Sequence, residues 1–306
     1  MPESGKTAAS AGARPAGVEV DPVTGQETTG HVWDGIRELN RPLPRWWLWT
    51  FYATIIWAAG YIVLYPAIPL LKGATAGVFG YSTRASVEDA LVQAREAQAG
   101  RLEKVATLPL EEIRADADLN RFAVGGGRSA FLVNCVPCHG SGAAGSPGYA
   151  NLNDDEWLWG GTLEEIYKTI AFGVRSGHPD ARLSEMPNFG ADQILPREDV
   201  TAAAEFVLSL SGADHDAALA ERGKVVFTEN CAACHGDTGA GNREFGAPAL
   251  NDAIWLYNGE RATILAQISK PRHGVMPAWA GRLQDPVLKE LALYVYSLGG
   301  GEAPAN

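Results

Sequence analysis

Cysteine and methionine are both scarce in this chain of 306 residues, with four of the first and three of the second. Four cysteines exclude a disulfide-built scaffold at this length. Basic residues also fall short: 25 Lys and Arg face 36 Asp and Glu, a formal charge of -11. That balance excludes a nucleic-acid partner, because neutralising phosphate needs the opposite sign. Long apolar runs free of charge are missing except for one, Trp46–Leu71, so a many-spanned membrane enzyme is excluded as well. The acid excess lies wholly downstream of that run, since residues 1–72 hold six basic and six acidic side chains while 73–306 hold 19 and 30.

What is present starts with the uncharged run itself, 26 residues between Arg45 and Lys72. A helix over Trp46–Tyr65 would cover about 30 Å, one crossing of a bilayer. Trp46, Trp47 and Trp49 at one end and Tyr61 and Tyr65 at the other match interfacial aromatic belts, and Pro66 and Pro69 end the helix near the far surface. A buried core helix is the alternative, but such helices seldom run this far without a polar face. The run follows a polar leader of 45 residues rather than the first few residues, so a retained anchor is expected in place of a cleaved signal. Arg37, Arg41 and Arg45 precede it against Lys72 and Arg84 after it, a weak bias toward a cytoplasmic N-terminus.

Downstream, the chain repeats itself. Cys135-Val136-Pro137-Cys138-His139-Gly140 matches Cys231-Ala232-Ala233-Cys234-His235-Gly236 at an offset of 96, and Trp157-Leu158 matches Trp255-Leu256. Met186-Pro187-Asn188-Phe189 matches Met276-Pro277-Ala278-Trp279. Gly127 and Phe131 stand before the first motif as Gly223 and Phe227 do before the second, in segments expected to be helical. Residues 197–211 and 285–298, which close the two copies, carry apolar stripes at helical spacing and should pack across the opening helices. Between anchor and first copy, Ser86 with Asp89 reads as a capping box ahead of an Ala-rich helix through about Gln98, a spacer or docking helix.

Cys-x-x-Cys-His is the attachment signature of c-type haem. In a helical turn, residues i, i+3 and i+4 share a face, so two thiols can form thioethers to the vinyl groups while the imidazole takes one axial position. A redox dithiol or half a zinc site are the rivals, but both motifs are complete and together use every cysteine in the chain. Cys135, Cys138, Cys231 and Cys234 are therefore expected to hold two covalent haem c groups, with His139 and His235 on the irons. Bacterial attachment of haem c takes place outside the inner membrane, which puts the haem domains in the periplasm and the N-terminus in the cytoplasm. Met186 and Met276, the two methionines other than Met1, lie in matching loops and are expected as the distal ligands. Of the remaining histidines, His273 alone is placed to substitute for one, being three residues before Met276. Trp157, Leu158, Trp159, Trp255, Leu256 and Tyr257 are candidate pocket walls. Filled axial positions leave no place for oxygen or peroxide, so no catalytic residue is expected and the domains carry electrons.

The chain resembles the dihaem subunit of the cbb3-type cytochrome c oxidases, the FixP-like subunit III. Beyond the haem motifs, the resemblance rests on His31-Val32-Trp33-Asp34-Gly35-Ile36, Pro42-Leu43-Pro44-Arg45-Trp46-Trp47, Tyr65-Pro66 and Gly80-Tyr81-Ser82. It implies a mostly α-helical protein with one N-terminal transmembrane helix followed by two tandem class I cytochrome c domains. The organisation expected is a cytoplasmic leader over 1–45, an anchor over 46–71, a periplasmic linker with a helix over 72–120, and haem domains over 121–212 and 213–306. The implied role is to take electrons from a periplasmic cytochrome c or the bc1 complex and pass them, through a monohaem subunit, to the haem-copper subunit. Spacing pairs Met186 with His139 and Met276 with His235; the resemblance implies the exchange, Met276 with His139 and Met186 with His235. A freestanding membrane dihaem cytochrome serving another reductase is the alternative, and a dihaem peroxidase would require one open iron. The acidic downstream part suits a basic donor as well as it suits a merely soluble surface.

Overall fold

The computed structural model describes residues 18–303, so the first part of the polar leader lies outside the described residues. The chain divides near residue 92 into two compact units. In the first, strands β1 (Thr28–Trp33) and β2 (Ile36–Leu39) form an antiparallel hairpin that the polar composition of the leader did not announce. Its turn is Asp34-Gly35, both with positive φ (49° and 85°), the pattern a tight hairpin turn demands.

Helix α1 follows, Arg45–Leu64, and none of its residues is buried. Its 20 residues give about 30 Å of apolar cylinder. Aromatic neighbours one turn apart reinforce it, with Trp47 stacked on Phe51, Trp57 on Tyr61 and Tyr61 on Tyr65 at centroid distances of 5.3, 5.3 and 4.8 Å. It stops before Pro66, and the rest of the uncharged run supplies β3 (Pro69–Leu70), which pairs with β4 (Gly73–Ala74) just beyond Lys72 in a minimal hairpin, instead of more helix. The next helix, α2, runs Thr83–Thr107, starting earlier and ending later than the expected capping box allowed. Ser82, whose Oγ accepts from the Ala85 amide at 3.3 Å, stands where Ser86 was expected to cap, and Ser86 lies inside the helix.

The second unit is helical: α3 (Leu110–Ala115), α4 (Ala117–Asn134), α5 (Val136–His139), α6 (Leu163–Phe172), α7 (Arg197–Leu210), α8 (Ala217–Asn230), α9 (Ala232–His235), α10 (Arg261–Ser269) and α11 (Asp285–Tyr296). The two opening helices start alike. Asp116 Oδ1 accepts from the amides of Asp118 and Leu119, and Asp216 Oδ1 from those of Ala218 and Leu219, at 2.9–3.1 Å, caps worth about 1 kcal/mol each.

The closing helices do not pack within their own copies. Helix α11 crosses α4, and α7 crosses α8, so each closing helix covers the opening helix of the other copy. Two apolar cores result. One gathers Phe131, Ile113, Leu163 and Ile170 with Leu288, Leu291 and Val295 from α11; the other gathers Phe227, Val226 and Ile264 with Val200, Val207 and Leu208 from α7. The sequence copies and the packed cores therefore differ by the exchange of one helix. The reason is the connection: α8 begins after residues 211–216, and so short a link favours pairing of consecutive helices.

Both crossings use the same device. A Cβ on Gly127 would lie 2.0 Å from the Glu290 carbonyl oxygen, and one on Gly223 would lie 2.0 Å from that of Ala202. The backbones thus touch, and one turn on the rings of Phe131 and Tyr294, and of Phe227 and Phe206, meet at 5.2 and 5.1 Å. Each buried Phe contributes roughly 1.5–3 kcal/mol through its lost contact with water.

Two carboxylates are buried near these crossings and differ in their support. Glu205 accepts from Arg261 Nε at 2.6 Å and from the Asp216 amide at 2.8 Å, which holds its carboxyl below the usual range. Glu290, 5% exposed, is pushed up to about 7 by burial. A raised folded-state value means that the native protein binds this proton more tightly than the unfolded chain, so stability falls as pH climbs from the ordinary carboxylate range of 4.5 through about 7. Glu290→Gln should therefore stabilise the protein by about 2 kcal/mol at about pH 8 and leave it unchanged at about pH 4. Denaturant unfolding at the two pH values checks this, and a gain at acidic pH alone would refute it.

Candidate functional site

Each cysteine motif begins where an opening helix ends. Cys135 closes α4 with its amide on Phe131 O, and Cys231 closes α8 with its amide on Phe227 O. The remaining motif residues make the single turns α5 and α9, so cysteines three apart and the next histidine lie along one side. Gly140 and Gly236 then turn the chain with φ of 77° and 76°, a conformation that glycine adopts without strain.

The imidazoles are held identically. His139 Nδ1 lies 3.0 Å from the Ala150 carbonyl and His235 Nδ1 lies 3.0 Å from that of Pro248. A carbonyl accepts only, so Nδ1 carries the proton and Nε2 keeps a free lone pair. Burial pushes both rings below their usual pKa, the carbonyl bond opposing it. The first thiol of each motif, Cys135 or Cys231, is pushed up to about 11, chiefly by burial and then by the neighbouring thiol.

Cys231, Cys234 and His235 open into a cavity that is also lined by Met186, Phe189 and Trp255. Leu158 and Trp159 of the first copy and Leu256 and Tyr257 of the second are in its wall, as the expected pocket residues. Trp157 is elsewhere: it packs on the first core, its Nε1 donating to the Gly300 carbonyl at 2.6 Å. Met276 also packs against the first core, with Cys135 and Trp279. The structure thus brings Met186 together with the second motif, and Met276 into the core of the first.

The backbone explains these placements. Met276 exchanges two hydrogen bonds of 3.0 Å with Val174, just after α6, and the Trp279 and Ala280 amides bond to the Ala171 carbonyl. In the mirror relation, the amides of Gly190 and Ala191 reach the Ser269 carbonyl at the end of α10. Each methionine loop is tied to the other copy. His273 lines the Met186 cavity, and its Nε2 accepts from the Met186 amide at 3.1 Å. Sequence reasoning missed Arg175, which also lines that cavity; no motif singles it out.

Known proteins decide the family. The model of the N-terminal domain of cytochrome oxidase-cbb3, FixP, matches residues 25–72, and that of cytochrome c oxidase, cbb3-type, subunit III, matches 123–207 and 218–295. The chain belongs to the FixP/CcoP family. It is 58% identical over 284 residues to the cbb3-type cytochrome c oxidase subunit FixP of Sinorhizobium medicae, covering 92% of this chain and 98% of that one. Against subunit CcoP of Cereibacter sphaeroides the identity is 52%, covering 90% and 95%. FixP of Bradyrhizobium diazoefficiens is 49% identical, covering 93% and 98%. As a family member, this is a membrane-anchored cytochrome c subunit that transfers electrons within a cbb3-type oxidase and carries covalent haem c. The residues fit that group: two thiols and an oriented Nε2 on one turn, facing an apolar wall with a thioether in it.

Proposed function

We propose that the subunit holds two haem c groups, Cys135, Cys138, His139 and Met276 serving one and Cys231, Cys234, His235 and Met186 the other. Electrons would pass from a periplasmic cytochrome c or the bc1 complex, through these haems and a monohaem subunit, to the oxygen-reducing haem-copper subunit. The observation that carries this reading is the reciprocal tie of each methionine loop to the other copy, with Met186 lining the same cavity as His235 and Met276 bonded to Val174.

Bound haem iron supplies a one-electron couple. The protein's part would be to keep ligation constant through that change: carbonyls fix the imidazole tautomers of His139 and His235, packed aromatics limit water, and the thioethers of Met186 and Met276 would be the remaining donors to the irons, leaving none free for oxygen. Haem attachment outside the inner membrane supports a periplasmic second unit and a cytoplasmic N-terminus. Burial raises the carboxyl pKa of Asp154 and Glu156, the negative charges of Asp155 and Asp252 beside them add to the rise, and this local negative field suits a basic donor.

The ligand pairing is tested with a marked haem. Cys138→Ala leaves one vinyl group unsaturated and moves that haem's α band to longer wavelength. On this background Met276→Leu should lower the potential of the marked component roughly tenfold or more in its redox equilibrium, and Met186→Leu that of the unmarked one. If Met276→Leu changes the unmarked component instead, each methionine serves its own copy.

A further inference from the structure

Two hydrogen bonds from one side chain join the methionine loops. Arg175 Nε donates to the Gly274 carbonyl at 2.7 Å, and its Nη1 donates to the Ser184 carbonyl at 2.8 Å. Gly274 and Ser184 each stand two residues before a methionine, Met276 and Met186. The backbone next to this side chain is tied as well: Val174 is the residue paired with Met276, and the Arg175 amide donates to the Arg182 carbonyl at 2.8 Å, ahead of the Met186 loop. Arg175 itself has a φ of 53°, a left-handed conformation that a side chain of this size seldom takes. Such strain persists where the surroundings over-determine it, and it clusters at sites that must be held in one arrangement.

Only arginine can make this connection. Its planar fork presents several fixed donors, so two carbonyls from segments remote in sequence can be held at once, whereas a lysine ammonium is a point charge on a flexible stem. Charged donors also make the stronger hydrogen bonds. In the segment after α10, His273 accepts the Met186 amide, so the segments following α6 and α10 each grip a methionine loop of the other copy.

We propose that Arg175 is a shared positioning residue for both distal methionines, so that release of its guanidinium loosens Met186 and Met276 together and couples the ligation of the two irons. This rests on the reading that these methionines are axial ligands, and holds whichever iron each one serves.

Arg175→Gly in the full haem-loaded chain removes the guanidinium and also suits the left-handed backbone. The probe is imidazole, which displaces methionine from ferric haem and abolishes the far-red methionine–iron charge-transfer absorption. In a Met186→His background the remaining absorption belongs to the Met276 haem, and in a Met276→His background to the Met186 haem. Arg175→Gly should increase the apparent imidazole affinity about tenfold in both backgrounds. Arg175→Lys should restore part of the loss in at most one of them. A change in one background only, or lower thermal stability with unchanged imidazole affinity in both, overturns the coupling. Absence of far-red absorption from the unaltered protein would instead overturn methionine ligation, and the marked-haem experiment separately decides the pairing.

Discussion

Gly127→Val should destabilise the first of the two cores by about 3–5 kcal/mol, at the upper end of what one substitution does. Even the Cβ of the new residue would sit 2.0 Å from Glu290 O and 2.8 Å from Tyr294 Cβ, and both belong to α11. Neither is the far end of a flexible side chain, so α4 and α11 must separate, and the Phe131–Tyr294 contact opens with them. Gly125→Ala supplies the opposite sign in the same helix. Nothing lies within 4 Å of its added Cβ, so the substitution should stabilise the helix by about 0.5–1 kcal/mol. Thermal unfolding followed by helical circular dichroism compares the two. Equal melting temperatures for both variants would mean that the crossing does not bear on stability.

Removal of both thiols of one motif should have the other large effect. Cys231→Ala with Cys234→Ala is expected to halve the covalent haem per chain, read as pyridine haemochromogen against protein mass. The second core is small, and its cavity is walled by Met186, Phe189 and Trp255, so loss of the haem proposed to fill it would leave apolar surface unpaired. Lower near-ultraviolet dichroism of the aromatic residues should accompany the lost haem. Because Leu158 and Trp159 of the first copy also wall this cavity, the disturbance should extend into residues whose own cysteines are intact. A haem content that stays at its original value would show that these cysteines are not the attachment points.

Local features were the legible ones. The cysteine motifs read correctly as single turns because i, i+3 and i+4 share a helix face whatever surrounds them, and the span ended at Pro66 because proline forbids continuation. The hairpin at Thr28–Leu39 went unread since its pattern is short and lies within a polar leader. Helix α2 outran the expected bounds because a Ser and an Asp three residues later also occur inside helices. Arg175, Glu205 and Glu290 have no sequence signal, since their importance comes from carbonyls, an arginine and a glycine far along the chain.

Composition, one uncharged run and two repeated motifs were enough to determine an anchored protein of haem-binding type, because each follows from residues near one another in the chain. Which closing helix covers which opening helix was decided only in three dimensions. Two copies with the same glycine and aromatic crossing present nearly equivalent partners to each other, so pattern alone cannot choose between them. The connection of 211–216 and the loop bonds to Val174 and Ser269 make that choice, and with it they put Met186 in the cavity of the second motif and Met276 against the first core.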